Sequence, residues 1–441
     1  MERRKFLGAA PLAIGGALIL KPNISEAQTT QTPSNYIPTF NVTTLSGVDP
    51  TGNSDSSAAI QAVLSAATGD LALYFPYGRY LLANLTWGLP NRLTFQGDGP
   101  ATALVLNSSN GSLMTASAGF FTAQDMTVEG RSAGYVTGGN FFSFANGRHA
   151  LRRIDAYNGC SLASWGEGCT GGGACDITCA GMSGSGFTVN VSQSATGQQY
   201  GILEFSRLNF QGGPTNNGYG LDLISGDTVI VTDANIAQFE VAISAMTNSE
   251  WSYLANLFFT NVLCDGAGGP SSANCGWYFD GTAQFLGRVF LTNCWAGSIP
   301  NVGMYFKNVK TLKINAQVID NGSTGILIDT GCRDVRINDS VITGNSSANP
   351  GATDGIQVLS GADRIHINGC RIGPTYNGIN TTTIINSQRY GINISNSTIV
   401  NYSIIDNDCS GNLSGGINNG GGGQSGVTVF VEYNTQGAFT P

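Results

Sequence analysis

Three carboxylates, Glu204, Asp222 and Glu240, lie eighteen residues apart, twice, and each is flanked by two apolar residues. The flanks are Leu203 and Phe205, Leu221 and Leu223, Phe239 and Val241. Apolar–acidic–apolar alternation predicts strands that bury one face and turn the acid outward. If eighteen residues make one turn of a stacked coil, the three acids form a column with about 4.8 Å between rungs. Like charges at that spacing repel, so at least one acid should hold its proton to unusually high pH. A neighbouring pair suits a retaining glycosidase, and the outer pair, about 9.6 Å apart, lies at the upper limit for an inverting one. The same oxygens could instead hold a Ca²⁺ ion that neutralises a uronate. The plainest alternative is a solvated acidic face.

A second set lies further along. Tyr278 and Tyr305 take the same outward slot in consecutive copies of one pattern, and Asp280, Lys307 and Asp329 follow two positions later in three consecutive copies. Tyrosine rings beside carboxylates suit a sugar, through apolar stacking and hydrogen bonds. An acid–base–acid succession also suits simple cross-strand charge pairing. With only His149 and His366 in the chain, His-based nucleophile systems and multi-His metal sites are disfavoured.

The elements that must position these residues are written in a recurring phrase of glycine, apolar, variable, apolar. It appears at Gly303–Phe306, Gly325–Ile328, Gly355–Val358 and Gly391–Ile394. Second alternating runs, such as Leu312-Lys313-Ile314, Val335-Arg336-Ile337 and Ile365-His366-Ile367, follow the first three copies. Two short strands per unit, repeated along the chain, predict a solenoid. Composition agrees: 61 of 441 residues are glycine and 41% are hydrophobic, while only 11% are charged, a balance opposite to that of disorder. Successive inward residues build a core. The variable position is the outward column, which holds Asp222 early, then the tyrosines, then Leu327, Gln357 and Asn393.

A net charge of −8, without a Lys/Arg cluster after the N-terminus, argues against a nucleic-acid partner. Residues 1–27 read as an export signal: Arg3-Arg4-Lys5 resembles a twin-arginine segment, a weakly apolar run spans Ala9 to Leu20, and Ser25-Glu26-Ala27 offers a small-x-small cleavage site. Residues 28–45 read as a polar arm and 46–441 as the solenoid, with 46–100 its cap and first coils. The expected location is the periplasm or the extracellular space, with no membrane association after signal removal. Export makes disulfides feasible among the ten cysteines. Cys264 and Cys275 flank a Gly/Pro/Ser-rich loop as a clamp would, and Cys160, Cys169, Cys175 and Cys179 cluster in another excursion. Cys294, Cys370 and Cys409 read as buried unpaired thiols.

The start of the solenoid carries a specific resemblance. Gly47-Val48-Asp49-Pro50-Thr51-Gly52 precedes a helix-like Ser54-Asp55-Ser56-Ser57-Ala58-Ala59-Ile60-Gln61, expected to run to about Ala67 behind a Ser54 or Asp55 cap. Then come Phe75-Pro76-Tyr77-Gly78-Arg79-Tyr80 and Gly97-Asp98-Gly99. Together these resemble the N-terminal signature of the pectate-lyase-like superfamily. That resemblance implies an all-β, single-stranded right-handed parallel β-helix with a short N-terminal capping helix. It does not fix a reaction, because the superfamily holds lyases, hydrolases, epimerases, tailspikes and non-enzymes. Thr353-Asp354-Gly355-Ile356 resembles a polygalacturonase phrase. The acidic pair expected one coil later is missing near Tyr376-Asn377, and the Gly-His-Gly phrase is missing too, so Asp354 reads as a turn residue.

The expectation is therefore an exported enzyme that cleaves glycosidic bonds of a polysaccharide. Glu204, Asp222 and Glu240 are its catalytic candidates, and Tyr278, Asp280, Tyr305, Lys307 and Asp329 its substrate-binding candidates. No cofactor is expected for a hydrolase. A uronate lyase would add Ca²⁺ and an Arg or Lys base, for which no local phrase selects among Arg207, Arg288, Arg364 and Arg371. A non-catalytic carbohydrate-binding protein is the remaining alternative, and the assembly is expected to be a monomer or a homotrimer.

Overall fold

Inward alternation builds every rung of the computed structural model. It describes residues 37, 39–132, 138–191, 201–213, 218–247, 253–266, 275–376, 384–396, 398–420, 429–432 and 434–435. Strands stack in parallel into two sheets that wind as one right-handed β-helix. The narrow sheet contains Asn140–Phe144, Ser161–Trp165, Phe187–Asn190, Val241–Met246, Cys275–Asp280 and Met304–Lys307. The bent sheet contains longer strands that turn a corner, including Phe120–Gly130, Gly147–Tyr157, Cys169–Met182 and Ile202–Gly212. One strand, Tyr219–Ala237, runs from the narrow sheet into the bent one.

The corner has a residue-level cause. Asp125, Arg153, Asp176, Arg207, Asp233, Asn261 and Asn293 all take left-handed backbone, with φ between 50° and 57°. Such residues tolerate that region best when a short polar side chain finds a local partner. Here they also partner one another along the stack. Arg153 donates to Asp125 at 2.8 Å and Arg207 to Asp176 at 3.0 Å. Asn261 donates to Asp233, and Asn293 to Asn261, both at 2.9 Å.

Between the sheets runs a continuous aromatic stack. Phe75, Phe95, Phe121, Phe144, Trp165 and Phe205 follow one another with ring centroids 5.2–5.8 Å apart. The contacts of Phe121 with Phe144, and of Trp165 with Phe205, join the two sheets across the core. The outer faces of the sheets therefore point away from each other.

The N-terminal end is closed by the helix Ser57–Ala66, which buries Ile60 and Leu64. Its N-cap residue is Ser56, and the Asp55 carboxylate accepts from the Ser57 N–H at 2.8 Å. Gln61 of this helix accepts from the Thr86 N–H at 2.8 Å and donates to the Thr86 carbonyl at 3.3 Å. Its side-chain amide thus takes the place of one further strand on an open sheet edge.

The recurring glycine has its own physical reason. Asn321, Asn345, Gln388 and Asn412 form an amide ladder inside the later coils, with links of 2.8–2.9 Å. A Cβ on Gly325 would lie 2.7 Å from both the Asn345 amide nitrogen and the Gly355 carbonyl. Only glycine leaves room there for the ladder and the next rung together.

Several expectations meet correction. All ten cysteines are free. Cys264 points into the core from the bent sheet and Cys275 opens a narrow-sheet strand, so the clamp across residues 265–274 does not form. Gly415–Asn419 is a narrow-sheet strand, and Val429–Glu432 is the last strand among the described residues. The expected signal, residues 1–27, and residues 28–36 of the expected arm lie outside the described residues. Among the described residues, no helix is long and apolar enough to cross a membrane.

Candidate functional site

The three carboxylates spaced by eighteen residues do not form a column. Glu204 pairs with Gly173 and Ile230 in the bent sheet. Asp222 pairs with Thr188 and Ser244 in the narrow sheet. These registers put 26 and 22 residues in a coil, so a step of eighteen crosses from one sheet to the other. Glu204 is exposed on the face turned away from Asp222 and leaves the candidate site. Glu240 precedes the strand Val241–Met246, with its N–H bonded to the Gly218 carbonyl at 3.1 Å.

What the fold builds instead is one outward column on the narrow sheet. It reads Thr188, Asp222, Ser244, Tyr278, Tyr305, Leu327, Gln357 and Asn393. Asp222 and the tyrosines, which the eighteen-residue spacing set apart, are therefore stacked on one face. The Asp222 Oδ1 and Ser244 Oγ atoms are both shielded from solvent, and neither has a hydrogen-bond partner among the described residues. Burial raises the Asp222 carboxyl to about 6. Tyr219, at the start of the same strand, has its phenol raised by burial and by the charges of Asp222 and Glu240. Both acids therefore lie within electrostatic reach of one phenol.

The tyrosine pair is well held. The rings of Tyr278 and Tyr305 stack at 4.9 Å with an interplanar angle of 10°. Tyr305 donates its hydroxyl to Asp329 at 2.8 Å, and Tyr278 to Asp280 at 3.4 Å. Burial, then the Asp280 charge, lifts Tyr278 to about 12, and burial plus the Asp329 bond lifts Tyr305 as well. Lys307 stands 3.9 Å from Asp280. Asp280 is further fixed by the Thr282 N–H at 2.8 Å, and Asp329 by the Thr330 N–H at 2.6 Å. The Asp280–Lys307–Asp329 row therefore does local work: it orients two phenols and pairs one ammonium.

Asp354 is fully buried. It accepts from Arg389 at 2.9 and 2.7 Å, from the Tyr390 N–H at 3.2 Å and from Asn393 at 2.7 Å. This is an internal pair that fastens two coils, and it leaves that carboxylate no free oxygen for chemistry. Sequence reasoning overlooked Ser244 and Tyr219. Ser244 carried a usable signal, since it is the outward residue of Ile243-Ser244-Ala245. Among the described residues, no group of three or more His, Cys, Asp or Glu is placed to hold a metal ion. The Ca²⁺ cage imagined from Glu204, Asp222 and Glu240 is not assembled, because Glu204 faces the other way.

Comparison with known proteins fits this architecture. The family model described as rhamnogalacturonase A/epimerase, pectate lyase-like matches residues 39–269, and one for a right-handed β-helix region matches residues 186–372. No curated protein matches the chain by sequence. Among solved structures, tailspike protein 3 of bacteriophage CBA120 aligns with a TM-score of 0.61 at 13% identity, over 89% of this chain and 60% of the tailspike. The chain thus spans 60% of the length of that protein. The A-modules of the Azotobacter vinelandii mannuronan C-5 epimerases AlgE6 and AlgE4 align with TM-scores of 0.55 and 0.54, at 16% and 17% identity. Those alignments cover 91% and 90% of this chain and 100% and 99% of the modules.

Proposed function

The chain belongs to the rhamnogalacturonase A/epimerase, pectate lyase-like family, and we propose that it cleaves glycosidic bonds of a polysaccharide on the outer face of the narrow sheet. The observation that carries this is a pair of buried oxygens, Asp222 Oδ1 and Ser244 Oγ, that have no hydrogen-bond partner among the described residues and lie beside the Tyr278–Tyr305 stack. Buried polar atoms normally find partners, and a site that leaves two open in adjacent rungs is built to receive them from a ligand. The stacked phenols offer an apolar ledge for a sugar ring.

Asp222 is the general acid. Burial keeps it protonated up to about pH 6, so it can give its proton to the departing glycosidic oxygen as the C–O bond breaks. Glu240 is the second carboxylate, acting on water or on the anomeric carbon, since cleavage of this kind uses two acids in different protonation states. Tyr219, whose phenol feels both charges, is assigned to hydrogen-bond the bound sugar. Fold similarity to the epimerase modules and the tailspike lends support for a glycan as substrate. We also propose export, carried by the Arg3-Arg4 segment; replacing both with lysine should leave the precursor unprocessed in the producing cell.

The test is a product screen against plant, bacterial and algal polysaccharides with the wild type and Asp222→Asn. New reducing ends without ultraviolet absorbance, lost in the variant, support hydrolysis. Unsaturated, ultraviolet-absorbing products would replace it with a lyase. Altered sugar configuration without chain shortening would replace it with an epimerase, and bound glycan without any product with a binding protein.

A further inference from the structure

A second feature of the surface lies in the bent sheet, away from the Asp222 column. Arg92, Phe120 and Arg148 follow one another in register, so the two arginines sit two rungs, about 9.6 Å, apart with the ring between them. Phe120 is 44% exposed. Arg152 lies four residues beyond Arg148 on the same outward face. Other arginines of this region are neutralised, Arg153 by Asp125 and Arg207 by Asp176. Arg92, Arg148 and Arg152 have no ion pair among the described residues.

The next rung makes room above them. A Cβ on Gly172 would lie 2.0 Å from the His149 carbonyl, and one on Gly173 1.8 Å from the Glu204 carbonyl. The chain there lies flush against its neighbours and sends no side chain outward. Two adjoining clefts of about 440 and 550 Å³ result, which share Arg148, Ala150, Arg152 and Gly172; the larger is bordered by Glu204 and by the Asp176–Arg207 pair, and the smaller, with Arg92 and Phe120, has no carboxylate in its lining.

We propose that this arginine-edged, glycine-floored trough is a second, non-catalytic glycan site that takes an extended acidic polysaccharide strand. Three cations spread over about 10 Å or more cannot all reach one small anion, but they match charges spaced along a chain. Phe120, between two of them, offers the flat apolar face that a sugar ring stacks on. A nucleic acid fits poorly, since its phosphate density meets only three free cations on a protein of net charge −8. The site is independent of the Asp222 chemistry, and it would hold the protein to an anionic matrix whatever the enzyme cleaves.

Affinity electrophoresis and calorimetry test this with the full chain carrying Asp222→Asn, so that turnover does not consume the probe. The probes are polygalacturonate (carboxylate), dextran sulfate (sulfate) and neutral dextran. Binding of either anionic polymer and not of dextran is expected, and the polymer preferred identifies the anion. Arg148→Gln with Arg152→Gln should weaken binding at least about tenfold and flatten the salt dependence by about two in slope. Phe120→Ala should weaken binding without changing that slope. Arg333→Gln with Arg336→Gln, on a later coil, should bind as the parent does. All these side chains are exposed, so unchanged melting temperatures verify folding. Equal binding by the Arg148/Arg152 variant, equal loss in the Arg333/Arg336 control, or no binding of either anionic polymer at low salt would overturn the proposal. The cleavage screen stands or falls separately, because it reads products from the other face.

Discussion

Asp222→Asn separates a carboxylate kept for chemistry from one kept for stability, because the two roles predict opposite signs. In the unfolded chain the group ionises near 3.8, and in the folded protein near 6. Between those values the folded state binds more protons than the unfolded state, so stability falls as pH rises through that window. Only well below pH 3.8, at about pH 3 and under, are the two states protonated alike and the penalty absent. Above about pH 6 the full penalty applies, on the order of 3 kcal/mol for a displacement of this size. Asparagine keeps the shape and has no charge to desolvate. The variant should therefore match the wild type at about pH 3, differ from it little at pH 4 and exceed it at pH 7.5, while losing about a hundredfold or more in rate if Asp222 is the acid. At about 2.1 cal/mol/K per residue, a chain of 441 residues gains roughly 1 °C per kcal/mol, so the melting temperature should rise by roughly 3 °C at pH 7.5. Paired thermal melts at pH 4 and pH 7.5 read the difference, and other titrating groups cancel within each pair. A variant equally stable at both pH values, or less stable at pH 7.5, would refute burial as the cause of the raised value. The wild-type rate should also fall about tenfold per pH unit above about 6, as the acid loses its proton.

Four further outcomes follow from particular contacts. Tyr278→Ala or Tyr305→Ala should raise KM up to about tenfold, the worth of one aromatic stacking contact, whereas Tyr305→Phe should keep the stack and lose only the bond to Asp329; steady-state kinetics on a cleaved glycan separate them. Arg389→Met strands the buried Asp354 carboxylate and should cost about 3–5 kcal/mol in denaturant unfolding, with turnover at Asp222 unchanged while the chain is folded. Gly325→Ala drives a methyl against the Asn345 amide and the Gly355 carbonyl and should cost about 1–3 kcal/mol by the same measurement. A thiol reagent added in denaturant without reductant should titrate all ten cysteines, where a single disulfide would leave eight.

The fold was legible because its signal is local and repeated. Ile326 and Ile328, or Leu312 and Ile314, state their inward direction by alternation alone, and the Gly47–Gly99 signature set the cap. The column through Asp222, Tyr278 and Tyr305 was legible for the same reason, as the variable position of one phrase. The eighteen-residue column failed because coil length is set by the loops between strands, which the sequence does not measure. Glu204 is flanked by apolar residues just as Asp222 is, yet one strand belongs to the bent sheet and the other to the narrow one. Alternation reports in or out, never which sheet. The same limit hid the clamp error, since Cys264 and Cys275 are near in sequence but built into different sheets. The amide ladder of Asn321, Asn345, Gln388 and Asn412 was illegible because its spacing follows loop lengths as well, although its imprint, the recurring glycine, was the plainest mark in the chain.

That imprint also bears on where a ligand belongs. Along one outward column, polar residues late in the solenoid satisfy one another. Asn393 donates to Asp354 at 2.7 Å and accepts from Asn418 at 2.8 Å, and Asp354 is closed by Arg389. At the tyrosines the closure is lateral, through Asp280 and Asp329. At Asp222 and Ser244 it is missing among the described residues, although the two residues pair directly in register. A fold that closes its polar column at Asn393 and at the two tyrosines and leaves it open over two rungs bears the desolvation cost of a buried, proton-holding carboxyl there. Packing gives no return for that cost, since threonine or serine at Asp222, as in the neighbouring rungs Thr188 and Ser244, would build the same coil. The return lies in a group that enters from outside, and the rung geometry puts the tyrosine ledge beside it.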